Sequence, residues 1–150
     1  MSVALEPLAI ADGVRMLSLR TPTLLPATHT NAYLIGTGEF VMVEPASPYE
    51  DEIARAIAWV EAEQAEGRRL RALLLTHHHP DHVGGVAALK QRFGVELWAH
   101  EATAARLHGK LAVDRCLAHG ERIDLDGPTP MSLEAVHTPG HAPGHLCFHE

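Results

Sequence analysis

The sequence predicts a mixed α/β domain, and three observations point there. Short apolar strands broken by turn residues fill the first third of the chain. Strands then alternate with helical patterns through the middle. Between them, residues 70–76 (LRALLLT) form a continuous apolar run, as expected of a strand covered on both faces. At 150 residues the chain has the length of one domain.

Residues 14–19 (VRMLSL), 31–36 (NAYLIG) and 40–43 (FVMV) read as strands, with Gly36 and Gly38 turning a hairpin between the last two. The Pro- and Thr-rich stretch between the first two reads as loop. Ser47, Pro48 and Glu50 match a capping box with proline at the first helical position, and Ile53, Ile57 and Val60 follow at helical spacing, with Gly67 as the stop. After the 70–76 strand, residues 83–93 read as a helix ending at Gly94, 95–99 as a strand and 101–109 as a short helix. Residues 132–136 (SLEAV) and 145–149 (HLCFH) close the chain as strands.

The formal net charge of −7 and pI near 5.9 give no general pull toward nucleic acid or an anionic membrane, so a nucleic-acid partner is not expected. The only lysines are Lys90 and Lys110. No apolar run reaches the roughly 20 residues a transmembrane helix needs, and the N-terminus has no basic segment of a signal peptide, its apolar stretch being interrupted by Pro7. Cys116 and Cys147 form no CxxC pair and no disulfide framework. A reduced, cytoplasmic protein is the expectation.

Histidine is the anomaly. Of 12 in the chain, eight lie in two tracts, 77–82 and 137–149. In the first, His77-His78-His79-Pro80-Asp81-His82, residues two apart in a short loop can point the same way, so His77 and His79 can share one metal ion. Asp81 and His82 leave the loop in another direction and can serve a second ion. Imidazole and carboxylate suit zinc, and also iron or manganese. Gly84–Gly85 lets a helix start close to the loop. The second tract supplies His137, His141 and His145, and the turn at Pro139–Gly140 would aim His141 out of a strand end. His29, His100, His108 and His119 read as ordinary structural histidines.

These residues resemble a known pattern. THHHPDHVGG resembles the T-H-x-H-x-D-H motif of the metallo-β-lactamase superfamily, and HTPGHAPGH its second metal-ligand tract. THTNAYLIG followed by FVMVEP is similar to the family's opening hairpin. Among subgroups the chain looks most like the hydroxyacylglutathione hydrolase (glyoxalase II) and β-lactamase-like protein 2 branches. The resemblance covers residues 12 to about 149 and implies an α+β fold, the αββα sandwich with metals at one edge of its two sheets, as a single domain over 12–150. It implies His77, His79 and His141 on a first zinc and Asp81 and His82 on a second. His141 is chosen because the family's ligand directly follows the Pro-Gly turn, which leaves His145 a supporting or structural residue. Histidine at position 79, where iron-binding members carry glutamate, favours a hydrolase.

Two departures stand out. The family usually ends the 40–43 strand with an aspartate that supports the metal loops, and here Glu44 and Pro45 follow. The family domain also continues past this point, with a strand whose aspartate bridges both metals and later a last histidine on the second. His149 and Glu150 do not sit in the matching context. The sequence thus reads as the N-terminal part of the domain: a truncation, a split gene product, or a chain completed by a partner or as a homodimer.

The implied activity is zinc-dependent hydrolysis, with one or two ions and a metal-bound hydroxide attacking a thioester, ester or related acyl bond of a small-molecule substrate. Asp81 is the expected catalytic group that orients the hydroxide and moves a proton. The first zinc has three ligands here and the second two, so stronger occupancy is expected at the first. The alternatives are phosphodiester cleavage, iron-dependent persulfide oxidation, and an inactive metal-binding half-domain with an exposed sheet edge.

Overall fold

The computed structural model describes residues 5–150; the first four residues of the stretch read as lacking a signal peptide lie outside the described residues. Along the chain run β1 (Leu8–Ala11), β2 (Val14–Arg20), β3 (His29–Ile35), β4 (Glu39–Val43), α1 (Glu50–Ala65), β5 (Arg69–Leu74), α2 (Pro80–Val83), α3 (Val86–Phe93), β6 (Glu96–Ala99), α4 (Glu101–Leu107), β7 (Arg115–Cys116), β8 (Arg122–Leu125), β9 (Met131–His137) and β10 (Leu146–His149). Strands β1 to β7 form one sheet in chain order, antiparallel through β4 and parallel from β4 to β7. The second sheet is the antiparallel set β10–β9–β8.

The continuous apolar runs of β4, β5 and β6 are explained by two cores, one on each face of the large sheet. Phe40, Met42, Leu73, Leu75, Leu97 and Ala99 join Trp59 and Val60 of α1, Leu89 of α3 and Leu107 of α4. The alternate residues Val41, Val43, Ala72, Leu74 and Trp98 face Ile123, Leu125, Leu133, Ala135 and Leu146 of the small sheet. A side-chain period of two splits one run between two partners. Fully burying one such side chain contributes about 1.5–3 kcal/mol. The order of layers is therefore helices, large sheet, small sheet, and the helices put their buried residues into the first core.

Several local expectations need correcting. The capping box does not form: helix α1 has Tyr49 at its N-cap with no side-chain cap bond. The Ser47 hydroxyl instead donates to the Arg20 carbonyl at 2.6 Å and accepts from the Tyr49 N–H, so it ties the helix entry to β2. The helix expected over 83–93 starts later, as α3 at Val86; Val83 ends the separate short helix α2, and Gly84–Gly85 part the two. Those glycines lie against the segment after β4: a Cβ on Gly84 would stand 2.6 Å from the Pro48 nitrogen, and one on Gly85 2.9 Å from the Pro45 oxygen. The glycine pair thus serves close packing of two loops. Strands β1, β7 and β8 were not expected; β1 is exposed along its length, and β7 is only two residues long.

Candidate metal centre

The site lies where β5 ends. Thr76 follows the strand, and its N–H donates to Glu44 Oε1 at 2.5 Å. Glu44 is 3% exposed and has φ 64°, an uncommon conformation for a non-glycine residue. Its other carboxylate oxygen accepts from His82 Nδ1. One buried carboxylate thereby links the end of β5 to the ring of His82, whose Nε2 lies 3.5 Å from Asp81 Oδ2. The longer side chain noted as a departure at position 44 is what reaches both partners, and its role as the ring partner of His82 was missed in the sequence. The signal was the buried strand ending in a carboxylate before proline.

His77 is 2% exposed. Its Nδ1 is hydrogen-bonded to Thr76 Oγ1 at 2.8 Å, while its buried Nε2 has no partner among the described residues. Burial, reinforced by the neighbouring His82 and His79, pushes its pKa down to about 3, so the ring is neutral and keeps a lone pair available. His79 Nδ1 and His141 Nε2 lie 3.1 Å apart. The nitrogen atoms that His77, His79 and His141 offer all fall within 4.8 Å of one another. A second group within the same limit is Glu44, His77 and His82. Asp81 stands beside His82 but belongs to neither group.

Burial acts to raise the Asp81 carboxyl, but the Thr23 hydroxyl bonded to it, with His82 and His77 nearby, leaves it below its ordinary value. For His82, burial acts to lower the imidazole, and the bond to and charge of Glu44, joined by Asp81, outweigh that and raise it. Asp81 is thus held ionised at neutral pH. Both residues line a cleft of about 550 Å³ with His79, His141, Leu24 and Pro22.

The remaining histidines separate by position. His78 has a buried Nδ1 without a partner among the described residues, and its ring packs against that of His79. His145 bonds through Nδ1 to Thr138 Oγ1 at 2.8 Å, with its ring 5.1 Å from that of His77. His137 faces the other way: its ring stacks on His100, and its Nε2–H donates to the Pro143 carbonyl. His119 accepts from the His137 N–H, and His100 caps α4 by accepting from the Ala102 N–H. Of the three candidates in the second tract, the structure brings His141 into the close group with His77 and His79.

The fold and this arrangement define a class, and comparison with known proteins agrees. The profile of the metallo-beta-lactamase superfamily matches residues 25–150, and the chain belongs to that superfamily. Among particular relatives, it is 43% identical over 103 residues to a hydroxyacylglutathione hydrolase of Acidiphilium cryptum, covering 69% of this chain and 40% of that protein. It is 38% identical over 90 residues to a hydroxyacylglutathione hydrolase of Rhizobium meliloti, covering 60% of this chain and 33% of that protein. A solved beta-lactamase domain protein from Burkholderia ambifaria superposes with a TM-score of 0.78 at 21% identity, over 99% of this chain and 52% of that one, and shows the shared fold. The chain therefore spans about half or less of these proteins' length. No helix among the described residues is long and apolar enough to cross a membrane.

Proposed function

We propose that the chain forms the metal-binding part of a zinc-dependent hydrolase acting on a small thioester or related acyl substrate. The observation that carries this reading is the convergence of His77, His79 and His141, one of them buried with an Nε2 that has no partner among the described residues. A buried ring nitrogen without a partner costs free energy unless something satisfies it, and three imidazoles suit zinc. The donor set fits. His77, His79 and His141 would hold a first zinc, and Asp81 and His82 a second, with Glu44 orienting the His82 ring as carboxylates commonly do for metal-bound histidines. Zinc, when bound, supplies an acidified water and a Lewis acid for charge developing on a substrate oxygen.

The chain's own residues do the rest. Asp81, ionised and facing the cleft, would orient the attacking water, accept its proton as the new C–O bond forms and pass it to the thiolate that leaves when the acyl C–S bond breaks. The neutral His77 ring needs no deprotonation before it can act as a ligand. The relatives named as hydroxyacylglutathione hydrolases support an acyl-glutathione type of substrate. The two exposed, unpaired cysteines suit a cytoplasmic setting. Strand β10 is an edge of the small sheet among the described residues, which suits pairing with a second copy or a completing chain.

Two measurements test the reading. Elemental analysis of untagged protein purified without added metal should find about one zinc or more per chain; iron would point to persulfide chemistry, and no metal would sink the assignment for this chain. S-D-lactoylglutathione should be turned over faster than bis(p-nitrophenyl) phosphate, and the reverse order would favour a phosphodiesterase.

A further inference from the structure

Helix α4 meets the loop between β9 and β10 through Thr103, and its N-cap residue His100 stacks on His137, the last residue of β9. Thr103, fully buried, donates its hydroxyl hydrogen to the Gly144 carbonyl at 3.1 Å. The backbones approach so closely there that a methyl group on Gly144 would stand 2.5 Å from the Thr103 nitrogen and also strike its hydroxyl. One residue earlier in the loop, the Pro143 carbonyl accepts from His137 Nε2–H at 2.8 Å. That ring is held flat against His100, the residue preceding α4, with centroids 4.0 Å apart and planes 12° apart. Within the loop, Thr138 N–H donates to the His145 carbonyl and His145 N–H to the Ala142 carbonyl, so the span bearing His141 is a closed turn with its C-terminal arm seated on α4.

We propose that Thr103 and the His100–His137 stack are positioning elements that set this turn before any ion arrives, so that His141 already stands over His77 and His79. The inference rests on the reading of His141 as a ligand. An exposed ligand on a loop loses affinity for the metal in proportion to how rarely the loop visits the competent geometry. Seating the Gly144 carbonyl on a helix that is itself packed in the core through Leu107, and the Pro143 carbonyl on a ring stacked against that helix's N-cap, removes that freedom.

The test is zinc affinity of the full chain, measured by competition with a chromophoric chelator, alongside the thermal midpoint of the metal-free protein. Thr103→Val, which keeps the shape and removes the hydroxyl, should weaken zinc binding about tenfold, within the range seen for residues that orient ligands. Thr103→Ser should restore it, and His141→Ala should lose the tight site altogether. If Thr103→Val proves unfolded, His137→Phe replaces it: the ring stays on His100 while the donor to Pro143 is gone, and the same loss of affinity is expected. A lowered midpoint with unchanged zinc affinity in these variants would overturn the inference while leaving the ligand reading intact. Wild-type affinity in His141→Ala would instead remove the reading on which it rests.

Discussion

The loop after β5 and the loop between β9 and β10 bring histidines to the same edge, but from very different ground. The first leaves a strand with neighbours on both sides and a core on each face. Leu75 N–H donates to the Trp98 carbonyl and Thr76 N–H to Glu44, and the exit of the loop is fastened where Gly84 and Gly85 donate to the Ala46 and Pro45 carbonyls. His77 is consequently sealed in. The second loop joins two strands of a three-stranded sheet, and its His141 is exposed. A ligand embedded in the core owes its geometry to many contacts at once, whereas an exposed one depends on a few named bonds. The two loops should therefore respond differently to substitution.

The largest expected effect is on the embedded side. His79→Ala should abolish zinc at the first site and with it any hydrolysis, read by elemental analysis and turnover; unchanged activity would break the assignment. Glu44→Ala comes next. It strips the partner from both Thr76 N–H and His82 Nδ1, and zinc at the second site should weaken by about 10–100-fold. Titration calorimetry would show it as loss of the weaker phase, with the tighter phase kept.

A smaller effect is expected from Asp114→Asn. The Lys90 ammonium bonded to Asp114 holds its carboxyl below the ordinary value of 3.8, against a lesser opposing effect of burial. A depressed carboxylate contributes stability that is present above the unfolded value and lost as pH falls through the folded one. The substitution should flatten the acid limb of the stability curve below about pH 4 and cost no more than about 1 kcal/mol at neutral pH, as a partly exposed pair. The smallest effect is His78→Ala, which should change zinc affinity less than twofold. A loss matching that of His79→Ala would mean that the alternation of directions in this loop has been misread.

Much of this comparison was legible in the residues themselves. The paired histidine tracts, the apolar run before the first and the Pro–Gly turn within the second carry local signals of spacing and turn chemistry. Strands β2 to β6, helix α1 and the alternating β9 were readable for the same reason: period and punctuation are written locally. What escaped depends on tertiary partners. Ser47 looked like a helix cap because its bond to the Arg20 carbonyl joins residues 27 apart. Gly84–Gly85 looked like the start of a helix because nothing local reveals the segment 45–48 packed against it. Strand β7, two residues long, has too little pattern to read. Thr103 lay unremarked inside a short helix and His100 read as an ordinary structural histidine, because their contacts with Gly144 and His137 join distant parts of the chain.

His79 and His141 stand 62 residues apart in the chain yet 3.1 Å apart at their ring nitrogens. An ion held by both would close a ring of that length in the unfolded chain, and the entropic cost of such a closure grows with loop length. On the proposed reading, the metal would then act as a crosslink as well as a reagent. The melting temperature of the chain should climb with the logarithm of free zinc once the ion is in excess of its dissociation constant.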